Sequence, residues 1–339
     1  MNRSIAPAAV LLLALSAPAS LVAQNAPAAQ PLPKDPVALL QLASQVNGLH
    51  GDDLQPWHLH ATWQTVEKGN VQDEGTYEEW WASQNKYKIN YTAKNYQETL
   101  YVTDHGAFLR GDTDMANVVF SDIVEMVDQP LPDPKSVDNQ KWKIVNHRQG
   151  NVIVTCAAPK ASPPLPQYCF ADQLPALRIF TEPWESTAWN SVVLFQGRYL
   201  GETIRIARTG LPEVDIKIDQ LETLNQLADS DFVPPANAVP AGDHPVFIPA
   251  GRISGMRTSG QPVEYPAIAK ALHLQGTVLL LGTILRDGSI SDLKVISGPA
   301  MLQQAAVQAV RTWHYRPYVI GGQAVEVKTQ IRVIFSLGL

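Results

Sequence analysis

The last strand-like run of the chain alternates without a break, with Val325, Val327, Thr329, Ile331, Val333 and Phe335 on one face and Glu326, Lys328, Gln330 and Arg332 on the other. A sustained period of two commits the segment to a strand with one buried face. A lone strand cannot bury that face, so the residues before it must supply a sheet. Thr277 to Arg286 and Ser289 to Ile296 are β-branched and aliphatic runs separated by Asp287-Gly288. That dipeptide tolerates positive φ at both corners of a type I′ turn, so the two runs predict a hairpin. Between them and the last strand, Met301, Leu302, Ala305, Ala306, Ala309, Val310 and Trp313 recur at helical spacing with one apolar stripe. Pro266 opens a shorter helix through Ala271 from its first position, and Gly276 releases the chain into the hairpin. The expected product is a small α+β module: a three-stranded antiparallel sheet with a packed helix.

Several unlike motifs of this module recur together. Tyr265-Pro266, Gly276, Asp287-Gly288, Ser297-Gly298, Ala305-Ala306, Val310-Arg311, Trp313 to Pro317 and Gly321 to Val325 stand in the order and spacing of one family. In them residues 261–339 resemble the C-terminal domain of the TonB family. Ala324 departs from the proline of many members, and His314-Tyr315 from their basic residue and phenylalanine. The resemblance implies that the module captures a short segment of an outer-membrane receptor by β-strand addition. It places the contacts at Gln261, Pro262 and Tyr265 and along Val325, Val327, Thr329, Ile331 and Val333. The physical basis is the sheet edge, whose unpaired N–H and C=O groups accept another extended chain. The first hairpin strand is apolar on both faces, however, which suits an edge covered by the chain itself or by a second copy in a dimer.

Residues 1–23 have the layout of a secretory signal: Arg3, an apolar core from Ala8 to Leu15, then Pro18 and small residues to Ala23. The competing reading is an uncleaved inner-membrane anchor, since Ile5 to Ala23 is long enough to span most of a bilayer. Residues 24–36 are a Pro/Ala-rich tether, too short to cross a periplasm. Family members that transduce energy are expected to carry a long proline-rich spacer there; this chain carries a large folded insert.

That insert, residues 37–230, opens with a helix ended by Asn47-Gly48. Five strand-like runs follow, at His58–Val66, Thr76–Ala82, Tyr87–Thr92, Glu98–Thr103 and Ala107–Arg110. A second helix over Met115–Val127, a proline-rich break and seven further strands between Trp142 and Thr223 complete it. Helix, strands, helix, strands predicts one large antiparallel half-barrel sheet with helices on one face. In architecture alone this is similar to the LolA and LolB type of periplasmic lipoprotein carrier. Seven of the eight tryptophans lie in the insert, where they serve core packing or line a cavity for a lipid acyl chain. Cys156 and Cys169, the two cysteines, flank a proline-rich loop and in an oxidising compartment are expected to form a disulfide.

Residues 231–260, rich in proline and glycine, read as a semi-extended linker that lets the two domains move relative to one another. The net charge of −6 divides into +3 for Pro262–Leu339 and −9 for the rest; an acidic chain without a basic stripe does not fit nucleic acid. His58 and His60 share a strand face, but no nearby residue completes a metal pattern. In Gly251-Arg252-Ile253-Ser254-Gly255 the serine is one place late for a hydrolase elbow. Paired catalytic carboxylates, a phosphate loop and a dinucleotide fingerprint are missing from the sequence. The expectation is a non-catalytic cell-envelope protein without a cofactor, which recognises partners through its C-terminal module. The rival is a lipid or lipoprotein carrier that uses the module only for docking.

Overall fold

The computed structural model describes residues 32–49, 51–111, 118–131, 141–149, 152–160, 166–171, 173–182, 184–225, 227–242, 244–253, 255–335 and 337. The signal sequence, most of the tether and the Met115 start of the second helix lie outside them. Helix α1 (Pro36–Val46) begins where Asp35 Oδ1 accepts the Ala38 N–H at 2.8 Å, with Pro36 in the first turn. It ends at Asn47, whose side chain donates to Ala43 and Pro175 carbonyls, both at 2.7 Å, and accepts the Leu177 N–H at 2.8 Å. One residue thus caps the helix and fastens it to the sheet.

The sheet domain follows the expected order. Strands β1 (Trp57–Glu67), β2 (Asn70–Ser83), β3 (Lys86–Ala93), β4 (Tyr96–Thr103) and β5 (Gly106–Gly111) form an antiparallel meander. Helix α2 (Val118–Asp128) intervenes. Then come β6 (Trp142–Gln149), β7 (Val152–Pro159), β8 (Gln167–Phe170), β9 (Leu177–Glu182), β10 (Glu185–Phe195), β11 (Arg198–Arg208) and β12 (Glu213–Thr223). β12 closes onto β1, so both runs join one sheet in the order β5-β4-β3-β2-β1-β12-β11-β10-β9-β8-β7-β6. This half-barrel cups the two helices. Odd-numbered residues of β1 and β2 point inward, where Trp57 stacks on Trp81 at 5.9 Å and Trp63 on Tyr91 at 5.5 Å. Trp57, Trp63, Trp81, Trp142 and Trp189 are buried in the core. Cys156 and Cys169 sit directly opposite one another on β7 and β8 and form the expected disulfide.

The segment read as a free linker is bonded on both sides instead. β13 (Val239–Pro240) extends the large sheet beside β5, and β14 (Val246–Phe247) joins the C-terminal sheet. Helix α3 (Ala250–Ile253) rests on α2 through an Arg252–Asp128 pair, and β15 (Arg257–Ser259) pairs further on. The prolines keep this stretch extended, and extension lets it lend short strands to both sheets.

The C-terminal module comprises α4 (Ala267–Ala271), β16 (Gly276–Ile284), β17 (Ile290–Ser297), α5 (Ala300–Val310), β18 (His314–Tyr315), β19 (Tyr318–Ile320), β20 (Gln323–Val325) and β21 (Val327–Phe335). Its sheet has four strands in the order β14-β21-β16-β17, the expected three plus the parallel strand from the linker. Pro266 caps α4 from outside rather than occupying its first position. The β16–β17 turn also differs: only Gly288 adopts positive φ, at 87°, with its N–H on the Leu285 carbonyl. Arg286 and Asp287 therefore take the corners of a turn closed by a glycine, a three-residue loop rather than type I′. A Cβ on Gly288 would stand 1.9 Å from the Tyr315 carbonyl oxygen, so glycine is required twice over.

Candidate functional site

Cross-strand neighbours share a face, which sorts the module's sheet into two. Val278, Leu280, Gly282 and Ile284 of β16 lie opposite Val333, Ile331, Thr329 and Val327 of β21, on the side that carries α5. Thr277, Leu279, Leu281 and Thr283 lie opposite Ile334, Arg332, Gln330 and Lys328, and this second face packs on the sheet domain. The four β16 residues of that face are all buried, which explains why β16 is apolar on both sides.

The contact is built on α2, whose residues Phe120 to Asp128 are all buried although three are acidic. Asp122, Glu125 and Asp128 recur every third residue and so form one stripe along the helix. Asp122 takes a bidentate pair from Arg208 at 2.6 and 2.9 Å and accepts from Gln330 Nε2 at 2.8 Å. Gln330 also donates to Ser121 Oγ at 2.9 Å. Arg208 reaches Glu185 at 2.8 Å, and Arg332 lies 3.5 Å from both Glu182 and Glu185. Glu125 accepts the Ala250 N–H at 2.6 Å, and Asp128 takes Arg252 at 2.9 and 3.1 Å. Each carboxylate of the stripe therefore meets a donor from the other half of the molecule or from the β11 arginine.

Burial and pairing divide the titrations. Burial pushes the Glu125 carboxyl up to about 8, against the smaller opposing effect of the Ala250 N–H. Burial likewise raises Glu79, hydrogen-bonded by Tyr77 at 2.5 Å, to about 7. Burial opposes charge on Glu185 too, yet Arg332 and Arg208 together hold it below the ordinary range. Arg208 is buried as deeply, and Asp122 and Glu185 keep it firmly charged.

The expected contact residues take distinct places. Gln261 and Pro262 are exposed; Gln261 accepts the Trp313 indole N–H at 3.1 Å and its own N–H reaches Thr312 Oγ1 at 2.8 Å. Tyr265 donates to the Leu274 carbonyl at 2.5 Å and meets Phe335 edge-on at 5.4 Å. Val325 belongs to β20 and pairs with Tyr318. Val327, Thr329, Ile331 and Val333 are buried on the α5 face. Val246 and Ile248 donate their N–H groups to the carbonyls of Glu326 and Lys328 at 2.9 and 3.0 Å. By the period of two, the outward backbone groups of β21 are those of Lys328, Gln330, Arg332 and Ile334. Among the described residues no strand pairs with this side beyond Lys328. A cavity of about 310 Å³ adjoins it, lined by Glu125, Met126, Phe180, Trp189, Arg332 and Ile334 among others.

His58, which shares its strand face with His60, is buried: it stacks on Trp80 at 4.8 Å, with Glu78 and Glu222 at its two nitrogens. The α2 stripe went unnoticed in the sequence, although carboxylates at every third place of an otherwise apolar helix were the available signal.

These features define a two-part α+β protein: a half-barrel sheet with an edge-bearing module docked on it. Residues 261–337 match the family described as Gram-negative bacterial TonB protein C-terminal, so the expected resemblance is borne out over that segment. Protein tonB2 of Pseudomonas aeruginosa is 40% identical over 76 residues, 22% of this chain. The chain spans 28% of the length of that relative. The solution structure of the Pseudomonas aeruginosa TonB C-terminal domain is 30% identical, over 24% of this chain and 84% of that one, at a TM-score of 0.22. A LolA superfamily protein from Nitrosomonas europaea aligns with 58% of this chain and 96% of its own, at 6% identity and a TM-score of 0.38.

Proposed function

We propose that the protein is a non-catalytic component of the cell envelope, exported by its N-terminal signal, that recognises partner proteins by strand addition at the β21 edge. Its partners are periplasmic segments of outer-membrane receptors. The observation that carries the reading is the family match of residues 261–337, whose long terminal strand has an outward side without a strand partner beyond Lys328. An incoming segment would bond to Gln330, Arg332 and Ile334 through backbone groups, which give affinity without dictating sequence. The approach through Gln261, Pro262 and Tyr265 would supply side-chain contacts. Among the described residues no helix is long and apolar enough to cross a membrane.

Peptides copying periplasmic receptor segments should shift the amide signals of Val325 to Val333 in the full chain. A spectrum unchanged across a panel of such peptides would remove the reading.

A further inference from the structure

The edge assigned to the partner is continuous with a stretch, Glu326 to Lys328, that already has an occupant. β14 lies parallel to β21 with Val246 opposite Val327 and Phe247 opposite Lys328, held by the N–H groups of Val246 and Ile248. Both of its residues and the Ile248 that follows are buried. Val246 and Ile248, two apart, point to the α5 side of the module's sheet, as do Val327 and Thr329. Phe247 points the other way and meets Phe120 of α2 edge-on at 5.7 Å. Pro245 and Pro249 bound the strand, and a proline cannot donate to the ladder, so the pairing stops after these few residues.

We infer that β14 is an internal stand-in for the partner, which caps the Glu326–Lys328 stretch of the β21 edge and is displaced when the partner's strand extends over it. The inference rests on the proposed function and sharpens it. The partner segment is short and extended, runs parallel to β21, and carries apolar residues at two alternate positions matching Val246 and Ile248. A third, bulky apolar residue between them replaces Phe247 against α2. Displacement of β14 breaks the Phe247–Phe120 contact, so partner capture at the edge also loosens the module from the sheet domain.

The probe is the hexapeptide His-Pro-Val-Phe-Ile-Pro, which copies residues 244–249, tested by calorimetry against the full chain and against V246G/I248G. A cap seated nine-tenths of the time or more reduces apparent affinity at least about tenfold, so the variant should bind that much more tightly. In the wild type, a saturating receptor segment should release the Val246 and Ile248 amides to fast hydrogen exchange, a readout that does not depend on the variant folding. Equal hexapeptide affinity for both proteins, or these two amides staying protected while a receptor segment binds, would overturn the capping role and leave the partner edge standing. Receptor segments that fail to bind even a folded V246G/I248G would instead bring down the proposed function itself.

Discussion

Glu125 lends itself to a quantitative test because its environment does one thing to its charge and its hydrogen bond does another. The carboxyl is buried on α2 and titrates at about 8 in the folded protein, against an ordinary 4.5. Between these values the folded state keeps a proton that the unfolded chain has released, so stability falls as pH rises. Each pH unit inside the window costs roughly 1 kcal/mol from this one group, or roughly 2–3 kcal/mol between pH 5 and pH 7. E125Q removes the titration and retains an oxygen for the Ala250 N–H. The stability of E125Q relative to wild type should therefore rise by roughly 2–3 kcal/mol over that interval. Glu79, raised to about 7, contributes a similar slope to both proteins and cancels in the difference. Urea unfolding followed by tryptophan fluorescence at half-unit pH steps gives the two curves. Parallel curves would refute the burial reasoning, and a relative slope of opposite sign would mean that Arg332 outweighs burial at this site.

Two further expectations follow from the same geometry. D122A leaves the buried Arg208 guanidinium without its bidentate partner and Gln330 without one of its two acceptors, and should cost about 3–5 kcal/mol; urea unfolding would show it, and a loss under 1 kcal/mol would place Arg208 in water. The C156A/C169A pair opens a cross-strand link whose sequence separation is 13, for a loss of about 3 kcal/mol in the chain-entropy model. Hydrogen exchange should locate that loss on β7 and β8, and unchanged protection there would contradict it.

Much of the fold was legible because its elements are set by local patterns. The twelve strands β1 to β12 follow alternation and turn residues, and α1 ends at Asn47 as its sequence suggests. What was hidden is non-local. Nothing in His244 to Pro249 has the length or alternation of a strand, since β14 exists only where β21 offers it an edge. The same dependence on a distant partner hid the docking of residues 231–260: proline and glycine report how a backbone can bend, not what it will touch. The type I′ expectation failed for a related reason. Asp287-Gly288 allows that turn, but the Tyr315 N–H bonds to the Gly288 carbonyl, and the turn adopted is the one compatible with that bond.

The polar face of β21 gives the deepest lesson about the site. In the sequence, Lys328, Gln330 and Arg332 alternate with apolar residues and look like the wet side of an edge strand. In the structure Gln330 is 3% exposed and ends on Ser121 and Asp122. Period two shows only that the two faces differ, and a face satisfied by buried carboxylates has the same pattern as one satisfied by water. The distinguishing signal lay elsewhere in the chain, in the acid stripe of α2, because a buried helix can carry charges at every third place only if cations and amides are brought to them. The two patterns are complements. Read together, they place the terminal strand against α2 and turn an apparently free module into one whose edge, capping strand and docking face are coupled through the same few residues.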